Sequence, residues 1–213
     1  EAYSQDIAVE DMKGLLDALG IKEAYIAGLS MGGSLALHFG LRHPEMARAL
    51  IVAAAGTGST NPEESRAMWY QMADAMERDG MPSALADYAE GPARVQLRRK
   101  DPTGYEEFKR LLFAHAAKGS ANTMRGVQAG RPPIFVWEED IKKLELPTLI
   151  MAGDEDEPCI EPSIFLKRHI KRSGLVMFPQ SGHAFNLEEP DAFNRAVLDF
   201  LTAVEAGKWA EKP

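Results

Sequence analysis

Ala27-Gly28-Leu29-Ser30-Met31-Gly32-Gly33 stands between the apolar run Ala24-Tyr25-Ile26-Ala27 and a helix-forming segment, Ser34-Leu35-Ala36-Leu37-His38-Phe39. A strand, a turn with glycine on both sides of a serine, and then a helix make a nucleophile elbow. Gly28 and Gly32 lack Cβ atoms, which lets strand and helix close around a sharp turn. That turn lifts the Ser30 hydroxyl clear of the sheet. The helix that follows begins with unpaired backbone N–H groups and a positive dipole end, so the Met31 N–H is a candidate oxyanion donor. The competing reading is a glycine-rich turn without chemistry, such as a phosphate cradle. Partners further along the chain decide against it.

Working outward, residues 4–19 carry Ile7, Ala8, Met12, Leu15, Leu16 and Leu19 at near-helical spacing, with Ser4 as cap and Gly20 as terminator. After the elbow the helix over 31–42 stops at His43-Pro44, because proline pushes the preceding residue out of the helical region. Arg48 to Ala55 reads as a buried, parallel-type strand. From Gly56 to Leu144 strand-like runs vanish. Asn61-Pro62-Glu63-Glu64 opens a helix, Thr103-Gly104-Tyr105-Glu106 reads as a capping box, and Ser120 as the cap of a third helix. The αβ alternation returns with the strand Leu146 to Gly153, a helix over 162–172, the strand Leu175 to Phe178 and a helix over 190–206. The layout is a parallel α/β core, residues 1–56 and 145–213, interrupted by a helical insertion over 57–144 that is too long for a mere connection.

The net charge of −8 argues against a nucleic-acid footprint, which wants a basic face. The longest wholly apolar run, Ala49 to Ala55, is too short for a bilayer, so no membrane partner is expected. Cys159 is the single cysteine and reads as a packed small hydrophobe. The chain starts at Glu1 without an initiator Met. The expected compartment is cytoplasmic, with a preceding targeting segment still compatible with the sequence.

A serine hydroxyl is a poor nucleophile until a base takes its proton, and the base needs an orienting carboxylate. His183 lies in Gln180-Ser181-Gly182-His183-Ala184-Phe185, a loop between strand and final helix, at the edge where parallel sheets place their sites. His38 and His115 read as packed histidines, and His43 and His169 as surface ones. The acid comes from Gly153-Asp154-Glu155-Asp156-Glu157-Pro158. A solvated acidic loop or a cation site are the alternatives there, but the turn glycine of an EF-hand is missing and no histidine stands at ligand spacing.

The elbow, the run Pro147 to Asp156, and Ser181-Gly182-His183 with Leu187-Glu188-Glu189-Pro190 together resemble the α/β-hydrolase superfamily, whose triad runs Ser, Asp, His in chain order. The resemblance covers the chain outside the insertion. It implies an α/β-hydrolase fold, a parallel sheet flanked by helices with a helical cap. Asp156 is then the acid and Asp154 the fallback. Trp69, Met72, Phe108, Leu112, Phe135 and Trp137 are candidate substrate-binding residues of the cap, or else its core. The strands that precede the elbow strand in this family, with the loop carrying a second oxyanion donor, have no counterpart here, so the chain reads as the C-terminal portion of a longer enzyme. The implied activity is a serine hydrolase that cleaves a small or medium apolar ester or lactone through an acyl-enzyme on Ser30. It needs a small-molecule substrate, no cofactor and no metal. Carbon–carbon bond hydrolases and perhydrolases share the triad. The rival from another class is a non-hydrolytic ligand-binding protein on the same scaffold.

Overall fold

The computed structural model describes residues 3–210. Helix α1 (Gln5–Ala18) is capped by the Ser4 side chain, which accepts from the Ile7 N–H at 3.1 Å, and Gly20 takes the left-handed φ of 67° past its end. Strand β1 (Ala24–Leu29), helix α2 (Met31–Arg42) and strand β2 (Ala47–Ala53) follow. Then come α3 (Pro62–Asp79), α4 (Met81–Ala84), α5 (Ala86–Ala89), α6 (Val95–Lys100), α7 (Pro102–Phe113), α8 (Ala117–Thr123) and α9 (Glu138–Lys143). Strand β3 (Thr148–Gly153), α10 (Glu157–His169), β4 (Ser173–Phe178), α11 (Phe185–Glu188) and α12 (Pro190–Glu205) complete the order.

The four strands pair in parallel in the order β1-β2-β3-β4. Each parallel pair requires a crossover, and each crossover passes through helix. Side chains of β2 divide by parity. Leu50 and Val52 join Leu37 and Phe39 of α2, Ile150 and Leu166 in one core layer, while Ala49, Ile51 and Ala53 join Met151, Phe178, Phe185 and Phe200 in the other. The sheet is therefore covered on both faces, as an all-parallel sheet must be. Strand β3 is buried throughout, and β1 forms one edge of the sheet.

Several local readings are corrected. The helix expected over 162–172 begins at Glu157, with Asp156 at the cap and Pro158 in its first turn, and it carries Pro162 inside. Proline removes one helical donor, which suggested a boundary, but packing against β3 and β4 overrides that loss. Helix α7 is capped two residues ahead of the expected capping box, because the Asp101 carboxylate accepts the Gly104 N–H at 2.9 Å and Pro102 opens the helix. Ser120 lies inside α8 rather than capping it. Asn61 stands at the cap of α3 without a side-chain cap bond.

Candidate active site

Ser30 has φ 59° and ψ −115°, a conformation that costs a non-glycine residue about 1–3 kcal/mol. Its surroundings hold it there. The Ser30 N–H donates to the Ala53 carbonyl of β2 at 2.8 Å, and the Ser30 carbonyl accepts the Ser34 N–H at 3.1 Å. The elbow glycines divide their work differently from the expectation. A Cβ on Gly28 would overlap the Gly32 carbonyl, and one on Gly33 would press into the Ala53 carbonyl at 2.5 Å, whereas a Cβ on Gly32 meets nothing within 4 Å. The close approach thus depends on Gly28 and Gly33.

The structure brings Ser30, His183 and Asp156 together at the C-terminal edge of the sheet. The Ser30 hydroxyl donates to His183 Nε2 at 2.7 Å, and His183 Nδ1–H donates to Asp156 Oδ2 at 2.7 Å. The tautomer follows from the carboxylate, which can only accept. Asp156 and His183 are both buried, at 1% and 7% exposure, so little water competes for these bonds. Asp154 does different work: its Oδ1 accepts the Ser181 N–H at 3.2 Å and so braces the histidine loop rather than the ring.

The helical insertion reaches both loops, which sequence reasoning missed. The Ala93 carbonyl accepts the His183 N–H at 2.8 Å, Lys100 Nζ donates to Ser181 Oγ at 2.9 Å and pairs with Glu189 at 2.6 Å, and Arg99 donates to the Gln180 carbonyl at 3.0 Å. Gln96 Nε2 donates to Glu155 beside the acid at 2.8 Å. From below, Glu188 accepts the Gly182 N–H at 2.9 Å. Burial pushes the Glu188 carboxyl up from its ordinary range, opposed by the Gly182 N–H and Lys100. The Leu187-Glu188-Glu189-Pro190 motif was the available signal for Glu188. Residues 93–100 offered none.

Two further groups stand at the site. Cys159 Sγ lies 3.3 Å from the Ala54 carbonyl, 3.2 Å from Thr57 Oγ1 and 3.9 Å from His183 Nδ1, and burial with the nearby Asp156 charge pushes its thiol well above the usual range. Arg131 is part-buried, donating to the Thr57 carbonyl at 2.7 Å and toward Ser34 Oγ at 3.5 Å, one helical turn from Ser30. Burial lowers its guanidinium to about 10, and no carboxylate pairs with it among the described residues.

The candidate substrate-binding residues scatter. Trp69 is buried and lines a small crevice with Thr57, Ser59 and Arg131. Met72 and Leu112 pack in the insertion's own core with Met76 and Leu85. Phe108 and Leu112 also line a cleft of about 370 Å³ with Leu97, His115 and Leu187. Phe135 packs edge-on against Phe165 of α10. Trp137 is a correction. It packs edge-on against His38 and lines a cleft of about 1120 Å³ with Pro44, Pro147 and Arg172, at the opposite edge of the sheet from Ser30. The turn Ile134–Trp137 already returns the chain toward the start of β3, which carries Trp137 away.

A serine on a strained strand-to-helix turn, hydrogen-bonded to a histidine and a buried aspartate from later loops of a parallel sheet, defines the α/β-hydrolase class. A model of the alpha/beta hydrolase family matches residues 1–196, and the chain belongs to that family. It is a hydrolase-fold enzyme. Among its relatives is a putative 2-succinyl-6-hydroxy-2,4-cyclohexadiene-1-carboxylate synthase of Bacillus subtilis (strain 168), 25% identical over 205 residues, covering 95% of this chain and 74% of that protein. A 2-hydroxymuconate semialdehyde hydrolase of Pseudomonas sp. (strain CF600) is 28% identical over 210 residues, covering 96% and 71%. MenH from S. aureus superposes with a TM-score of 0.86 at 21% identity, covering 95% of this chain and 76% of that one. The enol-lactonase from Burkholderia xenovorans LB400 superposes at 0.78 with 22% identity, covering 94% and 74%. No described helix is long and apolar enough to cross a membrane.

Proposed function

We propose that this chain is the catalytic part of a serine hydrolase that cleaves a small or medium apolar ester or lactone through an acyl-enzyme on Ser30. The observation that carries the reading is the unbroken hydrogen-bond line from Ser30 Oγ through His183 to Asp156. As Ser30 Oγ attacks the acyl carbon, its proton passes to His183 Nε2, and Asp156 stabilises the imidazolium that forms. The Met31 N–H, first in α2, helps hold the oxyanion. His183 then returns the proton to the leaving oxygen, activates a water, and the acid is released. Residues 57–144 act as the cap over this site, and the substrate is a small molecule. The test is turnover of esters and lactones of graded chain length, with Ser30→Ala as control. Hydrolysis that disappears with Ser30 supports the reading; no turnover, or turnover that survives Ser30→Ala, contradicts it.

Arg131 favours one second reading, hydrolysis of a carbon–carbon bond in a substrate bearing a carboxylate, as the names of the muconate- and dienoate-cleaving relatives suggest. A part-buried guanidinium without a carboxylate partner reaches toward Ser34, one turn along α2 from Ser30, where an anionic substrate supplies the missing charge. Arg131→Met then raises KM for 2-hydroxymuconate semialdehyde about tenfold or more while neutral esters change little. Equal effects on both substrates contradict this second reading.

A further inference from the structure

The buried donors Asp156 Oδ, Cys159 Sγ and His183 Nδ1 lie within 4.8 Å of one another. We infer that these three side chains form a site for a borderline-soft divalent cation of the zinc or cadmium type, and that its occupation switches the enzyme off. The inhibitory consequence rests on the serine-hydrolase reading; the site itself rests on geometry alone.

Thiolate, imidazole and carboxylate are the donor set that zinc takes. With Zn–N and Zn–O near 2.0–2.1 Å and Zn–S near 2.3 Å, tetrahedral donors stand about 3.3–3.6 Å apart. Here Nδ1 and Oδ2 are 2.7 Å apart, and Sγ and Nδ1 are 3.9 Å apart. Spreading the first pair by about half an ångström and drawing in the sulfur suffices. Thr57 Oγ1 at 3.2 Å from Sγ and the Ala54 carbonyl at 3.3 Å stand where a fourth donor, or the water it would hold, is needed.

The charges balance. On binding, the Cys159 thiol releases its proton to solvent, the His183 ring proton moves from Nδ1 to Nε2, no electron moves, and the dication meets one thiolate, one carboxylate and one neutral imidazole. A site of zero net charge suits burial. With Nδ1 bound to the cation and Nε2 carrying the ring proton, His183 has no lone pair left to accept the Ser30 proton. Because all three donors are buried, uptake is slow and inhibition develops with time.

The test is a Cd²⁺ titration of the whole chain, followed by the ultraviolet thiolate-to-cadmium charge-transfer band, with Zn²⁺ as competitor. The expected result is a saturable band that Cys159→Ser abolishes and Asp156→Asn weakens about tenfold or more. In parallel, Zn²⁺ slows labelling of Ser30 by a fluorophosphonate, a chelator restores it, and Cys159→Ser removes the protection. The absence of the band in folded protein, or equal Zn²⁺ protection in wild type and Cys159→Ser, overturns the proposal. A band with no labelling of Ser30 under any condition leaves the metal site standing and removes the hydrolase reading instead.

Discussion

At the scale of the residue, the two aspartates of the loop after β3 separate by partner. Asp156 holds the imidazole, and Asp154 holds a backbone N–H of the neighbouring loop. Asp156→Asn should lower kcat by about 10⁴-fold through a misdirected tautomer. Asp154→Asn keeps an acceptor for the Ser181 N–H and removes only its charge, so it should cost far less, which steady-state kinetics on the two variants will compare. The sequence named this loop, and the family resemblance put Asp156 ahead of Asp154; the fold adds the geometry, with Asp156 at the His183 ring and Asp154 at the Ser181 N–H. The same is true of the glycines. Gly28 and Gly33 sit where a methyl group collides with backbone, so alanine there should abolish folding or labelling, while Gly32→Ala should be tolerated.

His38 supplies a pH signature at the same scale. Burial in α2 lowers its imidazole to about 4. A histidine whose folded pKa lies below the unfolded value of about 6.5 favours the folded state fully above that value, and the contribution is lost as pH falls toward 4. The difference corresponds to about 3 kcal/mol. Urea midpoints measured between pH 7 and pH 4 should fall less steeply for His38→Gln than for wild type; parallel slopes contradict the assignment. Its place on the helix after the elbow marked it as a packed histidine, yet its contact with Trp137 could not be read from spacing.

At the scale of the element, α6 is the piece that periodicity left without a role. It joins the insertion to the loops carrying His183 and Asp156 through Gln96, Arg99 and Lys100, next to the Ala93 carbonyl. These bonds span more than fifty residues of chain, and no local pattern encodes them. Lys100→Met should loosen the histidine loop and lower kcat about tenfold with KM nearly constant, and Lys100→Arg should restore part of it. A change confined to KM would assign Lys100 to substrate contact instead. The strands and α1, α2, α3 and α12 were legible from apolar spacing and caps. The start of α10 was not, because Pro162 gives a local stop signal that sheet packing overrides.

For the whole molecule, the parallel order of four strands and the two covered faces follow from the αβ alternation seen in the sequence. The internal packing of residues 57–144 does not, since amphipathic helices in succession fit many arrangements. That segment has its own cluster around Ala73, Met76, Met81, Leu85 and Ala121, apart from the two layers of the sheet. A separate core predicts separate opening. Amide hydrogen exchange should show α3 and α8 exchanging as one unit before β2 and β3; simultaneous exchange of all four elements would contradict an autonomous cap.

These scales meet in one claim, that the Ser30 oxygen is made nucleophilic by His183 and Asp156. The most direct measurement is peptide mapping by mass spectrometry after reaction with a fluorophosphonate, on wild type and on His183→Ala. The account predicts a single adduct on the peptide carrying Ser30 in wild type and none in His183→Ala. No adduct on Ser30 in the folded wild-type protein, or equal labelling without His183, would contradict it.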